Sequence, residues 1–287
     1  MQNIENLTKR RLAQGRLCIG FVAHQMRGAA IPVLAQAAGY DWLFVDLEHS
    51  SQGTDNAIQM CITALSIGIM PVVRLNEGIL HDAGRLLDHG AAGIVAPHVD
   101  DVESAMRAVR FCKFPPIGER SWIGAGPFFH YAPVPPKVAQ PILNNETLVV
   151  VQIETALAVE NAFEIAAVPG VDVLMIGTGD LTTSLGVPGD IGHERVRSAY
   201  ETVAQACANH GKYLGMGGVY DEKFARLYIS RGARFLLGGS DQNFLFSAAS
   251  QRAQFLQSLD NVIPLSRNVA VAQEGRNDVL LAAAPMS

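Results

Sequence analysis

The chain has 287 residues, 49% hydrophobic and 17% charged, with 22 basic and 27 acidic residues giving a net charge of −5. That composition excludes a disordered chain and a coiled coil. An acidic balance with no basic cluster argues against a nucleic-acid-binding surface. No apolar run approaches the ~18–20 residues needed to cross a bilayer. Residues 1–11 lack the apolar stretch of a signal peptide, and the four cysteines show no Cys-x-x-Cys spacing. The expectation is a cytoplasmic protein with neither membrane nor nucleic-acid partners.

Along the chain, short apolar runs alternate with longer amphipathic segments. Strands are predicted at 17–23, 42–46, 70–74, 93–97, 148–153, 171–176, 213–216 and 234–237. They are rich in Val, Ile and Leu without clean alternation, as expected of strands covered on both faces. Helices are predicted at 29–38, 54–66, 80–89, 101–112, 156–167, 194–210, 222–230 and 242–259. Eight strand–helix units predict a closed (β/α)8 TIM barrel, which typically takes about 250 residues. The rival, a doubly wound open sheet, calls for Gly-x-Gly-x-x-Gly after the first strand, and residues 23–28 do not provide it. The barrel is assigned to 1–262. A proline- and aromatic-rich segment, 113–146, is read as a lid or an oligomer contact. The extension 263–287 is read as an interface arm, a docked tail or disorder.

A barrel carries its chemistry at the C-terminal ends of its strands. Those ends present His49 and Glu48 near the second strand, Arg74 at the third, Gln152 and Glu154 at the fifth, and Thr178-Gly179-Asp180 after the sixth. Each has an ordinary alternative. Asp180 and Glu154 suit helix N-termini, Arg74 can pair with Glu48, and His49 can be a plain loop residue. His24 and His98 are read as structural or peripheral. Carboxylates with little sulfur or imidazole beside them suit Mg²⁺ or Mn²⁺ with open positions for a 2-oxo acid. Arg74 offers positive charge to a developing oxyanion. His49 offers the side chain best suited to moving protons near neutral pH. Backbone amides of 178–180 suit a substrate carboxylate. None of Lys9, Lys113, Lys137, Lys212 and Lys223 lies at a strand end, so a Schiff-base mechanism is not expected. A phosphate cradle at Gly215–Gly218 and Gly238-Gly239 is a competing reading, and a barrel kept only for assembly is another.

Several stretches resemble the HpcH/HpaI family of metal-dependent (class II) pyruvate aldolases. They are residues 38–49 (AGYDWLFVDLEH), 71–74 (PVVR), 86–91 (LLDHGA), 114–120 (FPPIGER), 151–155 (VQIET) and 168–172 (VPGVD). The similarity runs from about residue 15 to 260 in the family's order. It implies a TIM barrel that cleaves a 4-hydroxy-2-oxo acid reversibly to pyruvate, or a similar small oxo acid, and an aldehyde. Oxaloacetate-decarboxylating members offer an alternative on the same site. The resemblance further implies Glu154 and Asp180 as ligands of Mg²⁺ or Mn²⁺, with Co²⁺ as a third choice. Gln152 and Gly179 would lie near the oxo acid, His49 would be the acid/base and Arg74 the enolate stabiliser. Asp88 would raise the basicity of a catalytic histidine, and its predicted place at a helix end away from its own rim points to a neighbouring subunit's site. A homo-oligomer is implied, a hexamer or trimer of dimers, with a domain-swapped last helix. Departures at Thr178-Gly179, Ser121-Trp122 and Gly217-Gly218-Val219 bear on the acceptor. Trp122, Phe128, Phe129 and Tyr131 are expected either to wall an uncommon aldehyde or to cover a subunit interface.

Overall fold

Eight apolar runs form parallel strands: β1 (Cys18–Ala23), β2 (Trp42–Asp46), β3 (Met70–Arg74), β4 (Gly93–Ala96), β5 (Leu148–Ile153), β6 (Val173–Gly177), β7 (Tyr213–Gly217) and β8 (Ala233–Ser240). In a computed structural model, which describes residues 5–259, each pairs with the next and β8 closes on β1. The expected (β/α)8 barrel is therefore observed. The helices are α1 (Leu7–Ala13), α2 (Ala30–Ala37), α3 (Thr54–Ile67), α4 (Ala83–Asp88), α5 (Val102–Cys112), α6 (Pro136–Glu146), α7 (Ala156–Glu160), α8 (Ala162–Ala167), α9 (Thr178–Ser184), α10 (Glu194–His210), α11 (Glu222–Ser230) and α12 (Asp241–Ser258). The single helix expected over 156–167 is broken at Asn161, whose side-chain amide instead donates to the Asp100 carbonyl at 2.7 Å.

Strand side chains alternate between two faces, and this alternation places the site. Trp42 and Phe44, Met70 and Val72, Leu148 and Val150, and Val173 and Met175 fill the barrel interior with Cys18, Val22 and Phe235. Leu43, Val45, Val73, Val149, Val151, Leu174 and Ile176 face the helices instead. Two residues further along the inward series stand His24, Asp46, Arg74, Gln152 and then Glu154, and Gly177. One strand end after another thus delivers a polar group to the same mouth. Gly20 is small for a reason: a Cβ there would lie 2.3 Å from the Trp42 ring, which stacks on Phe235 with centroids 4.0 Å apart.

Phe114, Phe128, Phe129, Ala139 and Leu143 join the interior cluster together with residues that open the strands, such as Cys18, Met70 and Leu148. They close the N-terminal end of the barrel, opposite the polar mouth. Trp122 packs edge-on to Phe114 with centroids 5.7 Å apart. These aromatics therefore do not line the mouth of their own chain: 113–146 follows a helix and precedes a strand, and such connections lie at the N-terminal face. The segment is also not all loop, since it contains α6. The subunit-contact reading of Trp122, Phe128, Phe129 and Tyr131, of which Tyr131 is exposed, stays a proposal.

The chain divides into two compact units, Met1–Leu245 and Phe246–Ser287. The barrel belongs to the first. In the second, the described residues continue α12 and expose Phe246, Phe255 and Leu256. The extension 263–287, read as an interface arm, a docked tail or disorder, lies outside the described residues. Among those described, no helix is long and apolar enough to cross a membrane.

Candidate active site

Register brings the first pair together. Asp46 stands opposite Arg74 in the β2–β3 ladder. Its carboxylate accepts from Arg74 Nε at 2.9 Å and from Nη2 at 2.7 Å, a bidentate, charge-assisted pair. Burial pushes the Asp46 carboxyl up. The hydrogen bonds and charge of Arg74, with the amides of Glu48 and His49, outweigh that and hold it below the usual range. Burial acts downward on Arg74, but Asp46, Glu48 and Glu154 together raise it, so the guanidinium stays charged. Arg74 Nη1 also lies 3.3 Å from Glu48 Oε2. Beyond Asp46 the chain curls back on itself: the amides of Glu48 and His49 donate to Asp46 Oδ1, and Ser50 Oγ donates to the Asp46 carbonyl. The turn leaves the His49 ring 58% exposed at the mouth, with Nε2 3.7 Å from Glu48 Oε2.

The second group stands on β4–β6. Glu154 is 3% exposed. Its Oε1 accepts from Gln152 Nε2 at 2.9 Å, and its Oε2 accepts from the His98 amide at 3.2 Å. Gly177 leaves the room this carboxylate needs, since a Cβ there would sit 2.3 Å from Glu154 Oε1. Burial raises the Glu154 carboxyl. The His98 amide and ring oppose that, and the negative charges of Asp180 and Glu48 add to it. A divalent cation would relieve this crowding of carboxylates, and Gln152 Oε1 is buried with no partner among the described residues. Among those residues no three His, Cys, Asp or Glu side chains form a ready cage. Carboxylate and amide oxygens are donors of the kind that suits a hard cation.

Other residues read from the sequence fall as follows. Thr178 is fully buried, and its hydroxyl pairs with that of Tyr200 at 2.8 Å, so its side chain faces away from the mouth. Gly179 and Asp180 are exposed beside it. Asp88 ends α4 and meets Arg120 Nη2 at 2.7 Å, away from His49 of its own chain. Lys113 is buried, and burial pushes its amine down to about 8 despite the nearby Asp172. It donates to the carbonyls of Asn144 and Thr147, while Lys9 binds Asp172. These groups precede β5 and β6, at the end remote from the mouth. Lys223 is exposed on α11. Gly238 and Gly239, expected after the eighth strand, lie within β8 and form no open cradle, because a Cβ at Gly239 would meet the Phe244 ring at 2.3 Å.

The sequence reading overlooked two residues. Asp46 sits in the same short stretch as Glu48 and His49, but only strand register shows that it, rather than Glu48, takes the Arg74 fork. His98, read as peripheral, stands at the mouth with a left-handed backbone (φ 53°). Its ring lies between Glu48 Oε1 at 3.3 Å and Glu154 Oε2 at 3.5 Å. A non-glycine residue in that conformation is a signal the sequence does not carry.

A (β/α)8 barrel whose polar groups gather at the C-terminal strand ends has the architecture of a barrel enzyme. The sequence profile of the HpcH/HpaI aldolase/citrate lyase family matches residues 27–248, and the chain belongs to that family. It is 37% identical over 262 residues to the 4-hydroxy-4-methyl-2-oxoglutarate aldolase tasA of Hapsidospora irregularis, covering 89% of this chain and 96% of that one. It is 35% identical over 255 residues to the 4-hydroxy-4-methyl-2-oxoglutarate aldolase cghB of Chaetomium globosum, covering 86% and 94%. Among solved structures, the HpcH/HpaI aldolase from Desulfitobacterium hafniense DCB-2 superposes with a TM-score of 0.83 at 29% identity, covering 89% of this chain and 98% of that one.

Proposed function

We propose that the protein is a metal-dependent aldolase that reversibly cleaves a 4-hydroxy-2-oxo acid to pyruvate, or a similar small oxo acid, and an aldehyde. The observation that carries this is the shared mouth: Arg74 is forked by Asp46 at 2.9 and 2.7 Å and lies 3.3 Å from Glu48, and the His98 ring stands between Glu48 and Glu154. A fixed guanidinium thus stands beside a buried carboxylate that is itself crowded by Asp180. Relatives named for 4-hydroxy-4-methyl-2-oxoglutarate support the substrate class. With a methyl group at C4, the released carbonyl compound would be a ketone rather than an aldehyde.

Glu154 and Asp180 would hold a divalent cation, Mg²⁺ or Mn²⁺ with Co²⁺ as an alternative, which supplies Lewis acidity to the keto oxygen. Gln152 and the backbone of 178–180 would orient the oxo acid. His49 takes the proton from the C4 hydroxyl as the C3–C4 bond breaks, and the bonding pair passes into the enolate of the three-carbon fragment. Arg74, locked by Asp46, offsets the charge growing on the enolate oxygen. A proton returned to C3 completes the pyruvate methyl group. Asp88 would support His49 of a neighbouring chain, so a homo-oligomer, a hexamer or trimer of dimers, is part of the proposal. So are exchange of the last helix between subunits and a cytoplasmic location.

The test is pyruvate release from a 4-hydroxy-2-oxo acid. Activity is expected to vanish with EDTA, return with Mn²⁺ or Mg²⁺, and fall at least a hundredfold in Glu154→Gln and Asp180→Asn. Full activity in either variant would remove the ligand assignment.

A further inference from the structure

Asp241, at the end of β8, is 2% exposed. Its carboxylate accepts from the backbone amides of His24 at 3.1 Å, Gln25 at 3.0 Å, Met26 at 2.6 Å and Gln242 at 2.7 Å. A buried carboxylate needs donors, and backbone amides supply them here. Three of the four belong to the loop that leaves β1, so Asp241 fastens that loop to the far end of the barrel seam. Neighbouring bonds stitch the same loop to the one after β2. Gln52 Nε2 donates to the Ala23 carbonyl at 2.7 Å, and the Gly28 amide donates to Asn56 Oδ1 at 2.9 Å.

His24 opens this fastened loop, and its Nε2 lies 2.6 Å from the His49 carbonyl. A carbonyl only accepts, so Nε2 carries the hydrogen. The same nitrogen is 3.8 Å from Asp46 Oδ2. The backbone of His49 is therefore gripped on both sides, its amide by Asp46 Oδ1 at 3.4 Å and its carbonyl by His24. Few other contacts hold this residue: its ring is more than half exposed, so its aim depends on its backbone.

We propose that His24 is a positioning residue for His49, held in place from behind by Asp241. This rests on the reading of His49 as the proton-transfer group. A small displacement of such a group lowers turnover without weakening binding, and a misplacement of about 1 Å can cost on the order of a hundredfold.

The experiment uses the full-length protein and compares His24→Leu, His24→Gln and Asp241→Asn. Gln can place an N–H where Nε2 stands, and Leu cannot. Four quantities are measured: kcat and KM for retro-aldol cleavage, Mn²⁺ affinity by calorimetry, and hydrogen–deuterium exchange of residues 47–51. His24→Leu is expected to lose about tenfold or more in kcat, with KM and Mn²⁺ affinity unchanged and faster exchange over 47–51. His24→Gln recovers most of kcat and protection, and Asp241→Asn follows His24→Leu. Wild-type protection of 47–51 in His24→Leu overturns the proposal, and so does a loss that Gln does not relieve. If His49→Ala itself keeps full activity, the reading of His49 fails. The exchange data then still decide whether His24 orders the loop.

Discussion

Asp46 and Arg74 show how a single pair decides what the mouth can do. The carboxylate is almost fully buried and the guanidinium mostly so; removing Asp46 leaves Arg74 with the longer contact to Glu48, and removing Arg74 leaves Asp46 with backbone amides alone for donors. Replacing one partner of such a pair typically costs about 3 kcal/mol or more. Asp46→Asn is therefore expected to lower unfolding stability by about 3 kcal/mol in urea titrations. It should also reduce turnover by about a hundredfold, because Arg74 loses its orienting fork. Unchanged turnover would mean that Glu48 alone suffices to hold Arg74. The sequence offered Asp46, Glu48 and Arg74 as neighbours without saying which carboxylate took the fork. The answer lies in β2–β3 register, which is a long-range property. The positions of His49, Gln152, Glu154 and Asp180 were legible because each lies within three residues of a strand end. His98 was not, because its role at the mouth depends on an unusual backbone angle.

Among the elements, the segment 113–146 carries the clearest lesson. Its prolines and aromatics stood out from the repeat and suggested a lid. Its place after α5 and before β5 already fixed it to the opposite face, whatever its composition. Phe129 is 4% exposed within the interior cluster. Phe129→Ala is expected to destabilise the fold by about 3 kcal/mol while leaving KM for the substrate unchanged. A changed KM with intact stability would restore the substrate-wall reading. Six of the eight strands were legible to within one residue, with β6 starting two residues later and β8 ending three residues later than expected, because apolar runs between turn residues need no partner to be recognised. Two of the helices that escaped, α1 and α6, cap the barrel floor. They bury residues such as Leu12 and Leu143 against distant strand starts, and local periodicity does not show this.

At the scale of the whole molecule, the large core imposes its own pH dependence. Burial is the leading cause raising all four thiols, Cys18 to about 11 and Cys61, Cys112 and Cys207 to about 12. An unfolded thiol starts to ionise near pH 9, whereas the folded one stays protonated. The unfolded state then binds fewer protons, and stability falls as pH rises from about 9 toward 12, by up to roughly 1.4 kcal/mol per pH unit for each thiol. Urea midpoints are expected to decline over that range, and Cys61→Ala should make the decline shallower. A midpoint that stays flat from pH 8.5 to 11 would contradict the burial of these thiols. The same barrel closes one end largely with apolar residues and gathers its buried carboxylates, Asp46, Glu154 and Asp241, at the other, and that polarity underlies the functional proposal.

The central claim is that this mouth makes an enolate from a small oxo acid with a divalent cation, whatever the acceptor. The most direct measurement is proton NMR of pyruvate incubated with the protein in D₂O, with Mg²⁺ or Mn²⁺ and separately with EDTA. The methyl signal should disappear with metal, persist with EDTA, and persist in Glu154→Gln. A methyl signal that survives with every divalent cation supplied would contradict the claim.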